Sequence, residues 1–284
     1  MLVAGMFFAV MGVGVYGSAL AHPPVAAPTV SFIRVTVNLA LLVLPALVLR
    51  ELPVLLGDRR PSLWLRGIFG GSALILSFAA IQRIGPGESA FLTASSAIFV
   101  AALGPWVLAQ RNSLWTWLAI LGAFSGLFLL FQPRLAPADF AGRLMALASG
   151  FLGALAYLMV ARAGRSNPPS TVVFYFCLVA VLIHLVYFAY RGLVLPKGPE
   201  SWGWVLLAGL SGSAAQLYMT RAYQLAPAAL VSATGFIGPV LSVVLGILVF
   251  SRIPDREAIA GCALVLVFGT LLPFLAARPQ NQQK

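Results

Sequence analysis

Four residues of the eighth apolar stretch carry the first chemical signal. Ser213, Gln216, Thr220 and Tyr223 follow one another at steps of 3, 4 and 3. A helix through them places two hydroxyls, an amide and a phenol on one face; Tyr218 falls off that stripe. Thr93 and Ser96 share a face in the same way, and Ser72, Tyr16 and Tyr157 add further hydroxyls and rings. An uncharged set of this kind can bind a neutral or zwitterionic small molecule with an apolar part. The same side chains can also act as glue, hydrogen-bonding across closely packed helices.

Charged groups set the limits. All seven acids (Glu51, Asp58, Glu88, Asp139, Glu200, Asp255 and Glu257) fall in breaks between apolar stretches or close to their ends. A proton relay or Na⁺ site built on deep carboxylates therefore has little support. His184 lies mid-stretch within VLIHLVYF. It can serve as a proton switch, as an interhelical hydrogen-bonding group, or face the rim of the bundle; Glu88 is a further candidate for a charge or proton role. Arg34 lies about one and a half turns into the second stretch. It can snorkel to the outer interface, cap carbonyls near a cavity mouth, or bind a substrate carboxylate. An intramembrane enzyme would need a deep Ser/His or His/Asp/Glu cluster, and one isolated His184 does not supply it. Cys177 and Cys262 lack partners at metal-ligand spacing and read as small buried hydrophobes. No nucleotide-binding motif is present.

The elements that must position these residues are membrane helices. Hydrophobic residues make up 61% of the 284 and charged residues 9%, against about 25% charged in a soluble domain. A nucleic-acid partner is the first thought for a net charge of +11. The Lys and Arg are scattered singly between apolar runs, however, and read as membrane-edge anchors meeting headgroups. Ten runs reach the roughly 20 residues a spanning helix needs. They cover 1–21, 28–49, 63–82, 87–109, 114–132, 140–162, 171–190, 202–223, 228–250 and 256–276. The breaks carry turn signals such as HPPVAAP, GPG, QRNS and GRSNPPS. Ala19-Leu20-Ala21 mimics a signal-peptidase site, but no basic residue precedes the first run, so it reads as a helix.

With ten spans, both ends lie on one side. A cytoplasmic N-terminus puts ten basic residues inside, Arg66 among them, and seven outside; up to Arg111 the count is five against one. Both termini are therefore expected inside.

The chain echoes itself. RIGPGESAFLTAS (83–95) corresponds to QLAPAALVSATGF (224–236) at an offset of 141. At the same offset Gly12 matches Gly153, Tyr16 matches Tyr157, Pro28 matches Pro169, Ser72 matches Ser213 and Arg111 matches Arg252. Spans 1–5 (residues 1–135) thus correspond to spans 6–10 (residues 136–284). Five is odd, so the second copy enters from the opposite side. Inverted repeats of this kind characterise secondary transporters that work by alternating access. Pro86, Pro105, Pro227 and Pro239 sit in or at the ends of spans 4 and 9. There they can bend the helices that gate a central cavity, or merely terminate them.

The sequence resembles the drug/metabolite transporter superfamily, and within it the ten-helix EamA-like group. The resemblance covers nearly the whole chain. It is carried by Arg34, by GGSALILSFAAIQRIGPGESAFLTAS, by GLSGSAAQLYMTRAYQLAPAALVSATGFIGPV, and by Pro239 in the ninth span. The group often carries Gly-Glu-Arg after spans 4 and 9; here Gln110 and Ser251 stand at the Glu positions, and Ile98 occupies the place matching Pro239. The resemblance implies an all-α integral membrane transporter of ten helices in the bacterial inner membrane, exporting small metabolites. Amino-acid exporters, aromatic ones included, are the nearest in layout. It implies no cofactor and no metal, a small-molecule substrate and the bilayer as partners, no nucleic acid, and a monomer. The runner-up solutes are a nucleotide-related metabolite, a vitamin or a drug.

Overall fold

The computed structural model describes residues 1–84, 86–131, 139–250 and 255–271. These form α1 (Leu2–Leu20), α2 (Ala27–Val48), α3 (Leu52–Leu56), α4 (Pro61–Ile84), α5 (Pro86–Thr93), α6 (Ser96–Leu108), α7 (Leu114–Phe131), α8 (Phe140–Ala163), α9 (Pro169–Arg191), α10 (Pro199–Leu225), α11 (Ala228–Gly235), α12 (Ile237–Phe250) and α13 (Arg256–Leu266), the last running into a π-helical turn at Val267–Leu271. No strand occurs among the described residues.

Helix starts follow local chemistry. Proline stands in the first turn of α2, α9 and α10, where its missing N–H costs no bond. Asp139 and Asp255 cap α8 and α13, accepting the N–H of Gly142 and Ala258 at 2.8 Å each.

Eight segments are long and apolar enough to cross a membrane by length and composition. The 27-residue α10 is long enough but is not among them. One polar face of it is turned into the protein: Ser211, Ser213, Gln216, Thr220 and Tyr223 are all buried. Leu44, Leu118, Leu185 and Leu248 lie exposed on other helices, as lipid-facing residues must.

Helices stand near the bounds of the expected spans, the tenth described only as far as residue 271, with two differences. The break ELPVLLGDRRPS contains a short helix, α3. Spans 4 and 9 are each split in two, at Ala94–Ser95 and at Phe236. The splits fall one offset apart (236 − 95 = 141) and not at the expected prolines. Pro86 and Pro227 open α5 and cap α11, Pro105 lies inside α6, and Pro239 is the third residue of α12. Pro239 lacks the N–H that would bond Gly235 four residues earlier, so the helix stops at 235 and restarts at 237. The split at Ala94–Ser95 has no such proline.

Helices from the two halves interleave. α4 packs along α8 and α1 along α10; α4 also meets α9, and α2 meets α10; α8 packs on α6, and α1 on α12. Each couple maps onto the other by the same offset. α7 pairs with α13 and α2 with α9. Several couples are unequal, among them one between the divided helices. α11 packs on α6, while its counterpart pairing, α5 with α12, is not among the packed pairs of the described residues.

Candidate substrate site

Residues of α8, α10 and α11 meet inside the bundle. Tyr157 of α8 stacks on Tyr223 of α10, with ring centroids 5.2 Å apart and planes 13° from parallel. The Tyr223 hydroxyl shares a 2.8 Å hydrogen bond with Ser232 of α11. Gln216 and Thr220 belong to the same buried face, and Gln216 Nε2 and Thr220 Oγ1 have no hydrogen-bond partner. Thr93 Oγ1, at the C-terminal end of α5, is also buried and unpartnered. A buried donor left unpaired costs about 1–3 kcal/mol, so several such groups facing the interior mark a place where a polar ligand would be stabilised.

Other expected residues divide. Ser213 is buried but donates to Gly209 O at 2.8 Å, which spends its proton on its own helix. Ser72, Ser96 and Tyr16 are half-buried on α4, α6 and α1. Open space borders Ser96: a Cβ added at Gly153 would meet only Ser96 Cβ, at 4.0 Å. Its offset partner Gly12 would meet only Ser242 Oγ, at 3.9 Å. His184 lies apart from the tyrosine stack. Its Nδ1 faces Ala180 O at 2.8 Å and its ring packs near Phe32. It borders a small niche of about 50 Å³ with Pro28, Ile75, Phe78 and Tyr187. The side chains of Glu88 and Pro86 lie outside what the structure describes.

Two arginines correct the sequence reading. Arg34 does not snorkel: it is 8% exposed, with Nε against the backbone of Gly212 at the middle of α10. Arg66, expected at the inner membrane edge, is 3% exposed. Its guanidinium lies over the Phe176 ring, 4.3 Å from the centroid. Being the sixth residue of α4, it is carried past the helix mouth, and the signal was in the sequence: the run drawn from residue 63 already enclosed it.

One end of the bundle is tied by residues outside the expected site. Gln110, just after α6, accepts the Ala228 N–H at the start of α11 at 3.0 Å. Arg165 donates to Leu108 O at 3.0 Å, and Gln224 donates to Asn167 O at 3.1 Å. These bonds join α6, α8, α10 and α11 at one end. Gln110 does here what a glutamate would do, accepting at a helix N-terminus.

A family model described as the EamA-like transporter family matches residues 1–132 and 140–274. The chain belongs to that family. This EamA-like chain is 27% identical over 207 residues to the pseudopaline exporter CntI of Pseudomonas aeruginosa, covering 73% of this chain and 72% of that protein. It is 24% identical to mouse solute carrier family 35 member G1, covering 81% of this chain and 66% of that protein. A riboflavin transporter of Vibrio cholerae is 27% identical, covering 63% and 59%. Its fold matches a crystal structure with a TM-score of 0.83 at 20% identity, over 98% of this chain and 97% of that one. The EamA-like protein is thus a multi-pass membrane transporter and not an enzyme.

Proposed function

We propose that the protein is a secondary transporter that exports a small organic metabolite of the amino-acid class across the bacterial inner membrane by alternating access. The observation that carries this reading is the buried polar face at the junction of the halves: the Tyr157–Tyr223 stack beside the unpartnered Gln216 and Thr220. Stacked rings accept the apolar part of such a solute, and the amide and hydroxyl supply orientation.

An inverted repeat, with residues 1–135 and 136–284 as its units and both termini cytoplasmic, supplies the mechanism. The interleaved packing couples related by one offset support it, as do the two stretches that match the family model. The unequal couple of divided helices supports a state sealed at one end. With α11 packed on α6 and Gln110 bonded to Ala228, the end nearest Met1 is closed. Exchanging this pairing for α5 on α12 would open that end and close the other.

Counterflow in proteoliposomes tests the proposal. Vesicles loaded in turn with each of the amino acids should take up labelled tryptophan or methionine by saturable exchange. Exchange indifferent to a pH gradient fits a His184 whose Nδ1 is engaged with Ala180 O. A failure of exchange with every amino acid would remove the substrate class.

A further inference from the structure

We propose that Arg34 and Arg66 together form an anion site at the centre of the bundle, and that the transported solute carries two negative charges, as a dicarboxylate or a phosphate ester does. The proposal rests on the transporter reading and puts a dianion in place of the amino-acid solute.

Both guanidiniums are more than nine-tenths buried. Among the described residues neither has a carboxylate partner: the ion pairs are Arg60–Asp58 and Arg83–Asp139, both at the bundle's edge. Arg66 Nε is buried with no hydrogen-bond partner. The seven acids of the chain lie in loops or near helix ends. Two cations are thus held inside without a counter-charge. The two lie on one buried patch: Arg66 covers Phe176, and Phe176 and Cys177 cluster with Val35, the chain neighbour of Arg34. Each buried ion costs several kcal/mol unless it is paired, and a like-charged neighbour adds to that cost. Resident side chains do not offset it; a mobile anion would.

The backbone makes room for the arginines. A Cβ at Gly70, one turn along α4, would overlap the Arg66 guanidinium. A Cβ at Gly212 would lie 2.8 Å from Arg34 Nε. Arg66 therefore extends along its own helix towards mid-bundle, and Arg34 reaches α10 at its midpoint. The positions one offset away hold Tyr175 and Leu207. Both cations come from the first half alone, so the repeat that builds the scaffold does not demand them. Unpaired guanidinium forks match carboxylate and phosphate oxygens in bidentate fashion.

The test is thermal melting of the full-length protein in detergent, titrated with succinate, glutarate, inorganic phosphate or neutral dimethyl succinate. A saturable rise in melting temperature with at least one dianion, and none with the diester, is expected; the dianion that gives it tells dicarboxylate from phosphate. Arg34→Gln and Arg66→Gln should each weaken binding by ~30-fold or more. Should either fail to fold, Arg34→Lys and Arg66→Lys keep the charge and should bind more weakly than the parent. Equal shifts with diester and dianion, no shift with any anion, or unchanged binding in the variants overturns the proposal. Counterflow separates the two readings. Arginine-dependent binding without exchange removes transport and keeps the anion site. Exchange of a zwitterion, undiminished in both glutamine variants, keeps transport and removes the anion site.

Discussion

Tyr223 works twice at the residue scale: its ring stacks on Tyr157 and its hydroxyl meets Ser232. The two roles can be separated. Tyr223→Phe keeps the stack and leaves Ser232 without its partner. A melting experiment in detergent should show a loss of about 1 kcal/mol, while Thr220→Val, which removes a hydroxyl that has no partner to lose, should leave the melt nearly unchanged and lower exchange. A Thr220→Val protein that melts well below the parent would mean the hydroxyl is structural. Outside the membrane, Asp58 ties α3 to the α8–α9 loop. Its carboxylate accepts from Ser166 Oγ at 2.6 Å, and its N–H donates to Asn167 Oδ1 at 3.1 Å. The Ser166 hydrogen bond, followed by those of Asn167 and the Arg60 N–H, holds the carboxyl below its ordinary range. The folded value lies below the unfolded one, so the ionised group stabilises the fold above pH ~4. That contribution disappears as pH falls through the folded value. Melting curves between pH 6 and pH 3 should therefore fall more steeply for the parent than for Asp58→Asn; parallel curves would remove this assignment.

At the element scale, the divided helices are the parts able to change partners. α11 is only eight residues long, begins at a Pro227 cap, and ends where Pro239 forbids continuation. Its first free N–H is taken by Gln110. Gln110→Ala removes that bond and should favour opening at the end nearest Met1. A single cysteine introduced beside Ala228 should then react faster with a membrane-impermeant maleimide added from that side. Gln110→Glu should slow the reaction, because a carboxylate suits a helix N-terminus better. Equal rates in all three proteins would show that the bond is not part of the seal. The α1–α10 contact, by contrast, is expected to hold. A Cβ at Gly14 would come within 2.8 Å of Ala208 N and Trp204 O, so the two backbones touch and this pair moves as a unit.

Taken whole, the molecule places the main partner of each half's helices in the other half: α1 finds α10 and α4 finds α8. A fragment of residues 1–135 alone exposes the faces that α8 and α10 cover. It should not give a cooperative melt, whereas co-expression with residues 136–284 should restore counterflow. A fragment that melts cooperatively by itself would show that each half folds independently.

The sequence by itself determined the helical, membrane-embedded class, because a chain with 61% hydrophobic residues in runs of about 20 has no other way to satisfy its backbone in lipid. It also determined the span bounds to within a few residues, since Pro, Gly and charged residues punctuate the runs, and the buried stripe of α10, since spacing at 3 and 4 fixes a helix face. Only the tertiary structure decided which polar groups lack partners, because that depends on what the neighbouring helices bring. It divided spans 4 and 9, one of them with no proline to announce it. It set His184 apart from the tyrosine stack. It also turned Arg66 from an edge charge into a buried one: a position five residues beyond the start of α4 reads as interfacial until the long side chain is seen running inward, over Phe176 and into the notch that Gly70 leaves.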